Sequence, residues 1–210
     1  MSDPAELYDA ILTGNAKKAE AVTKAALEAG ADPTELLGKY MIPAMDEVGK
    51  RFECNEYFVP ELLIAARAMK TSLALLTPRL AAVGAKAAGR VVIGTVQGDL
   101  HDIGKNLVAS MLEGGGFEVV DLGVDVPAAK FVEQVKGKHG TIVALSALLT
   151  TTMTQMKKVI EALQAAGLRD KAKVIIGGAP ITQQYCDEIG ADGYSDNASA
   201  AVGLARQLVG

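Results

Sequence analysis

The hydrophobic pattern changes at Arg90, and this change constrains the fold more than any other feature of the sequence. From there, short apolar runs alternate with amphipathic ones. The first run, 91–96, is continuous and β-branched, which is typical of a strand buried on both faces of a parallel sheet. Strands are predicted at 91–96, 118–122, 141–145, 174–176 and 193–194, and helices at 103–113, 128–136, 152–166, 182–189 and 198–209. Five β-α units predict a flavodoxin-like, Rossmann-like α/β domain with a five-stranded doubly wound parallel sheet.

The residues before Arg90 have a helical period throughout. Helix start signals stand at three positions, Asp3-Pro4, Asn15 and Asp32-Pro33. Pro43 interrupts the third helix and predicts a kink or break near Met41, and a fourth helix is predicted to begin at Pro60. The pattern predicts a four-helix bundle at 1–83, a Gly- and Ala-rich linker at 84–89 and the α/β domain at 90–210.

Composition and charge narrow the range of partners. The net charge is -4, with 10 basic and 12 acidic side chains in 1–88 and 11 and 13 in 89–210, so neither half offers a basic nucleic-acid face. No run is apolar enough to span a bilayer, and the amino terminus lacks a signal-peptide pattern. The two cysteines lie in different halves without metal-binding spacing. A cytoplasmic protein without nucleic-acid or membrane partners is expected.

The turn after the first strand holds the most informative polar residues. Gly98 and Gly104 bracket a segment that contains Asp99 and His101, and ligands of such sheets lie outside the carboxyl ends of the strands. A carboxylate two positions before a histidine can fix its imidazole, as metal-bound histidines usually require. The residues alone are compatible with half of a metal site, an acid/base pair or a phosphoacceptor pocket. The other histidine, His139, is predicted to be a solvated loop residue.

The run Asp99-Leu-His101-Asp-Ile-Gly104 resembles the Asp-x-His-x-x-Gly signature of corrinoid-binding domains, which hold cobalamin base-off with a protein histidine on cobalt. The resemblance extends over essentially the whole chain. It implies cobalamin or a related corrinoid as cofactor, His101 as the cobalt ligand, Asp99 as the partner of His101, and Gly104 in the cofactor-binding loop.

A second motif of the same family is matched by Ser146-x-Leu148 after the third strand. The resemblance implies that Ser146 hydrogen-bonds the Asp99 carboxylate, which makes a His101–Asp99–Ser146 relay. It also implies that Leu148 and Thr150 border the buried nucleotide tail of the cofactor.

The last two strands supply further candidates by resemblance. Gly177 and Gly178 match the third motif, where side chains would block the channel for the nucleotide tail, and Tyr194 and Ala198 are expected against the lower base. Each motif also has a purely structural explanation: helix capping by Thr151 or Thr152, a common strand ending in Gly-Gly, and a turn and helix cap at Asp192 and Asp196.

An apolar turn between the third and fourth helices resembles the helical cap of cobalamin methyl carriers. There a Phe and an aliphatic residue seven positions later shield the methyl-bearing upper face of the corrin, and Phe52 and Val59 stand at these positions. Leu63, in a helix that also resembles the family's, is expected beside them. The alternative is that these residues only pack the bundle.

The resemblance implies a methyl carrier that is not catalytic alone. Such a protein shuttles a methyl group on cobalt, between Co(I) and methyl-Co(III), from a substrate-specific methyltransferase to a second methyltransferase acting on tetrahydrofolate or coenzyme M. A reductive activase is the third partner expected.

Two other functions compete with the carrier. A cobalamin-dependent sensor or regulator would carry a DNA-binding module and a cap tryptophan, and this chain has no Trp and no basic module. A phosphoacceptor receiver would use Asp99 as its target, with Asp102 as the second acidic residue, but no lysine follows the last strand near Tyr194.

Overall fold

The computed structural model describes residues 4–138 and 141–209, so His139 lies outside the described residues. The chain divides into two compact units: one comprises residues 4–87 and 113–116, and the other comprises residues 88–112, 117–138 and 141–209. The predicted domain limits, with a linker at 84–89, stay a prediction. No helix in these ranges is long and apolar enough to cross a membrane.

The first unit is helical. Its elements are α1 (Ala5–Leu12), α2 (Ala16–Glu28), α3 (Pro33–Glu35), a π-helical turn (Leu36–Met41), α4 (Ile42–Glu53) and α5 (Val59–Ala82). At the predicted kink or break near Met41, the helix changes from the π-helical turn to α4, while Met41 and Ile42 both keep helical φ and ψ. Pro43 lies in the first turn of α4, directly after the π-helical turn. The large side chains buried in this unit include Leu7, Ile11, Leu62, Met69 and Leu76.

The second unit contains a five-stranded parallel sheet with the order β2-β1-β3-β4-β5. Its strands are β1 (Arg90–Thr95), β2 (Glu118–Asp121), β3 (Thr141–Ser146), β4 (Ala172–Gly177) and β5 (Gly193–Tyr194). Its helices are α6 (Ile103–Gly114), α7 (Ala128–Val135), α8 (Thr150–Ala165), α9 (Gln183–Ile189) and α10 (Ala198–Val209), with a 3₁₀ turn at Arg169–Lys171. The predicted flavodoxin-like sheet is confirmed.

The register of this sheet brings the strand ends to one edge. The chain leaves β1 toward β2 on one side, while β3 pairs with β1 on the other, so the topological switch point lies between β1 and β3. Thr95 is the Cα partner of Ser146, and Ser146 is the partner of Gly177. The loops that follow β1, β3 and β4 therefore start side by side, where a ligand of a doubly wound sheet binds.

Candidate functional site

The predicted ligand-binding residues of the second unit all lie at this carboxyl edge. They follow or end four neighbouring strands: Asp99, His101 and Gly104 after β1, Ser146, Leu148 and Thr150 at β3, Gly177 and Gly178 at β4, and Tyr194 and Ala198 at β5. The fold thus brings together residues that are up to a hundred positions apart in the sequence.

Asp99 and His101 form the centre of the site. The Asp99 side chain is fully buried, and its Oδ1 lies 2.7 Å from His101 Nδ1. The same oxygen accepts the backbone N–H of His101 at 3.1 Å. The backbone of the loop is held as well, because the buried Thr95 hydroxyl donates to the His101 carbonyl at 2.7 Å. The imidazole therefore has a fixed orientation although half of its surface is exposed.

The second carboxylate oxygen of Asp99 contacts the N-terminal end of α8. Oδ2 accepts the backbone N–H groups of Leu148 at 2.8 Å and Leu149 at 3.4 Å, and the hydroxyl of Thr152 at 2.7 Å. The positive end of the α8 dipole favours an anion at this position. The predicted relay is therefore wrong in one member. Within the described residues, Thr152 and not Ser146 provides the hydroxyl on Asp99.

The charge state of Asp99 determines which imidazole nitrogen is available. Burial alone would raise the pKa of the Asp99 carboxyl, but the hydrogen bonds from Thr152, Leu148 and His101 outweigh it and hold this pKa well below its usual range. An ionised carboxylate only accepts, so Nδ1 of His101 must carry the proton and donate. In the neutral ring, Nε2 then keeps a free lone pair, as a metal ligand requires.

The surroundings of His101 are apolar and exposed. Leu100 and Ile103 are 72% and 80% exposed, although large aliphatic side chains are usually buried. Val124, Leu148 and Leu149 add further exposed apolar surface on neighbouring loops. A Cβ added at Gly104 would meet no atom within 4 Å, so this backbone is open to close approach. The site thus offers one imidazole within a broad apolar surface.

These donors fit a corrinoid. Among residues 4–138 and 141–209, no group of three or more His, Cys, Asp or Glu side chains could hold a bare metal ion. A single imidazole suits a metal that arrives with its equatorial ligands, as cobalt in a corrin ring does, and the apolar surface suits the face of that ring. His101 would supply the axial ligand, with Asp99 orienting it.

The two glycines at the end of β4, Gly177 and Gly178, allow a close backbone approach. Gly178 has φ +136°, and a Cβ there would overlap the carbonyl oxygen of Ala147. The segment after β3 that supplies the Asp99 contacts is thus seated directly against Gly178. A Cβ at Gly177 would lie 3.1 Å from the carbonyl oxygen of Ser195, after β5.

Tyr194 and Ala198 are largely enclosed by the second unit. Tyr194 packs against the core beneath the sheet edge, and Ala198, at the start of α10, is buried. Their predicted contact with a lower base stays a prediction. Ser146 and Thr150 stand at the end of β3 and the start of α8, next to the residues that contact Asp99.

Residues predicted to cover a cofactor lie on the first unit. Phe52 is half-buried at the end of α4, whereas Val59 and Leu63 are exposed one turn apart on α5. Two neighbours are also exposed: Phe58, which belongs to the predicted apolar turn, and Ile64, which the sequence did not single out. The sequence signal for such residues is the run of apolar side chains at the start of α5.

The geometry argues against a phosphoacceptor receiver. Asp99 has no exposed surface, and both of its oxygens already accept hydrogen bonds from the protein. A phosphoacceptor carboxylate must reach solvent and leave an oxygen free to attack phosphorus. Asp99 instead serves as the fixed acceptor for His101.

Fold and site together define a cobalamin-binding α/β protein with an additional helical unit. Residues 89–203 match the family model described as B12 binding domain, and residues 5–77 match a second model of that description. The chain belongs to the corrinoid proteins that carry these domains.

Curated relatives match almost end to end. Trimethylamine corrinoid protein 1 of Methanosarcina acetivorans is 45% identical over 207 residues, which cover 98% of this chain and 96% of the relative. Dimethylamine corrinoid protein of Methanosarcina barkeri is 45% identical over 206 residues, with 97% and 96% covered.

Two solved structures share the fold. A cobalamin-binding protein from Desulfitobacterium hafniense DCB-2 gives a TM-score of 0.80 at 36% identity, covering 99% of each chain. The methanol:cobalamin methyltransferase complex of Methanosarcina barkeri gives 0.85 at 31% identity, covering 97% of this chain and 78% of the other.

Proposed function

We infer that this chain is the corrinoid methyl carrier of a methyltransferase system. The observation that carries the inference is the single imidazole of His101, fixed through Nδ1 by a buried carboxylate and half exposed within an apolar surface. When bound, the corrinoid supplies the cobalt that accepts a methyl group from one methyltransferase and yields it to another.

The residues of this chain bind the cofactor and orient its histidine ligand. The Asp99 carboxylate accepts a hydrogen bond from the Nδ1–H group of His101, which raises the strength of Nε2 as a ligand. The hydroxyl of Thr152 donates a further hydrogen bond to the same carboxylate. Leu100 and Ile103 would exclude water by apolar contact with the ring. The chain has no catalytic acid or base in this scheme, so turnover belongs to the partners.

We propose that Phe52, Val59 and Leu63 shield the upper face of the cofactor. Support comes from the exposure of Val59 and Leu63 at i,i+4 spacing next to exposed Phe58 and Ile64, since a cluster of exposed apolar side chains marks an interaction surface. Because the partners must reach the same face, the linker at 84–89 is proposed to let the helical unit move away.

A methylamine is the methyl donor that we propose. The supporting observation is near end-to-end similarity to trimethylamine and dimethylamine corrinoid proteins. A second methyltransferase acting on tetrahydrofolate or coenzyme M, a reductive activase and a cytoplasmic location complete the proposal. To test the donor, the cobalamin-loaded protein is mixed with the methyltransferase of a relative's system and with trimethylamine or dimethylamine. We expect the cobalt to become methylated with these donors and not with methanol, the control donor.

Absorption spectroscopy tests the carrier function directly. The protein is incubated with hydroxocobalamin, desalted, and compared with His101→Ala and with His139→Ala, which changes the other histidine. Wild type and His139→Ala should retain cobalamin with a histidine-on spectrum, whereas His101→Ala should lose that spectrum and bind more weakly. A correctly folded wild type that retains no cobalamin would refute the function.

A further inference from the structure

The loop between β2 and α7 contacts the loop that carries His101. It first runs alongside the end of β1, where Thr95 N–H donates to the Gly123 carbonyl at 3.0 Å and Val126 N–H donates to the Thr95 carbonyl at 3.0 Å. Asp125 lies between these contacts and is exposed to solvent. This part of the second unit is outside the motifs singled out by the sequence.

Asp125 makes two hydrogen bonds to the His101 loop in opposite directions. Its Oδ1 accepts the backbone N–H of Gly98 at 2.7 Å, and its own N–H donates to the carbonyl of Asp99 at 2.9 Å. Both bonds are made in a left-handed conformation, φ +53°, which residues other than Gly, Asn and Asp rarely adopt. The pair forms a clamp across the peptide that joins Gly98 to Asp99.

A second tie joins the same two segments. Lys105, 3% exposed on α6, donates to the Asp121 carboxylate at the end of β2, and Asp121 Oδ1 accepts the N–H of Gly123 at 2.8 Å. The loop that carries His101 is thus tied to the end of β2 on its far side too. Because Lys105 and Asp121 already join α6 to the end of β2, the hydrogen bonds of Asp125 restrain the remaining free part of the loop, the backbone at Gly98 and Asp99.

We propose that Asp125 is a positioning residue for the axial histidine, an inference that rests on the proposed function. The clamp fixes the backbone of Asp99, and the Asp99 carboxylate orients the imidazole of His101. Without the Asp125 carboxylate, the loop can rotate its peptide at Gly98, and the imidazole loses its fixed direction toward the cofactor.

Three variants separate this role from general stability. Asp125→Gly keeps the left-handed backbone and removes the acceptor, whereas Asp125→Asn keeps both the backbone preference and an acceptor oxygen. Asp32→Gly is the matched control, because Asp32 in the first unit also accepts a backbone N–H, that of Thr34, at 2.9 Å. Each full-length variant is titrated with hydroxocobalamin, and circular dichroism without cobalamin checks its folding.

Asp125→Gly should raise the dissociation constant for hydroxocobalamin about three- to tenfold. It should also show a histidine-off fraction at saturation, with the His101→Ala spectrum as reference. Asp125→Asn and Asp32→Gly should match wild type. The proposal is overturned if Asp125→Gly matches wild type in both readouts, or if Asp125→Asn is equally impaired. A wild type that retains no cobalamin would instead overturn the carrier function on which the proposal rests.

Discussion

The Asp99 carboxylate shows at the scale of single residues how the site is built. Five donors converge on its two oxygens: the ring and backbone of His101, the backbones of Leu148 and Leu149, and the hydroxyl of Thr152. A buried charge is tolerated only when it is fully hydrogen-bonded, and here the donors more than offset the cost of burial. The buried anion therefore persists as a permanent acceptor for His101.

Thr152→Val removes one donor at nearly constant volume. We expect the unloaded protein to lose about 1–3 kcal/mol of unfolding free energy at pH 7, because a charged buried acceptor loses a hydrogen bond. Denaturant titration measures this loss. Ser146→Ala is the matched control and should change stability by less than about 0.5 kcal/mol.

The cost of Thr152→Val should depend on pH. Asp99 has a lowered pKa in the folded state, so its stabilisation is fully present above the unfolded-state value, about 3.9, and is lost as the pH falls from there through the lowered folded-state value. Because the unfolded-state pKa is the same in both proteins, the difference between wild type and variant should be the same at pH 7 and at about pH 5, and it should shrink only as the pH approaches the lowered folded-state value. A difference that already shrinks between pH 7 and about pH 5 would contradict the assignment of Thr152 to the ionised carboxylate.

Sequence could select Asp99 and His101 but not Thr152. The first pair is local and carries a spaced motif, whereas Thr152 Oγ1 reaches Asp99 only because α8 starts beside the end of β1. Ser146 ends β3, and Thr152 lies in the first turn of α8, so the helix geometry decides which hydroxyl faces the carboxylate. Asp125 was missed for the same reason, since its partners lie on another loop.

At the scale of elements, the hydrophobic period of the sequence predicts which segments are strands and which are helices, but it does not predict the residues at which they end. The structure extends β4 to Ala172–Gly177 and starts α8 at Thr150, two residues before the predicted position. Ends depend on contacts with other segments. Around the start of α8, Leu148 and Thr152 donate to Asp99, and at the end of β4 the loop after β3 lies against Gly178.

Gly178→Ala tests that approach. A Cβ would collide with the Ala147 carbonyl in a backbone conformation that almost only glycine adopts, so we expect a loss of at least about 3 kcal/mol. Gly167→Ala is the control: Gly167 also has positive φ, but a Cβ there meets no atom within 4 Å, and the loss should be about 1 kcal/mol. Equal losses by denaturant titration would contradict the steric explanation.

At the scale of the whole molecule, the predicted division into two domains can be tested by proteolysis. Lys86 is exposed and lies outside regular structure, between the end of α5 and the start of β1. Exposed, irregular segments are preferred cleavage sites. Brief treatment with trypsin should therefore release fragments 1–86 and 87–210, identified by mass spectrometry.

Lys86→Gln serves as the control, because it should lose this pair of fragments and retain all other products. Cleavage within α5, for example after Lys70, before any cut at 84–89 would contradict the predicted linker.

The alignment of the strand ends couples cofactor binding to the stability of the folded protein. The donors to Asp99 from α8 lie 49 to 53 positions along the chain from it, so the unfolded chain cannot hold His101 in place for a cofactor. A ligand that binds only the folded state stabilises it by mass action, by about 2.7 kcal/mol at one hundred times its dissociation constant. We therefore expect cobalamin-bound protein to unfold less readily than unloaded protein, and to resist proteolysis of its unfolded form accordingly.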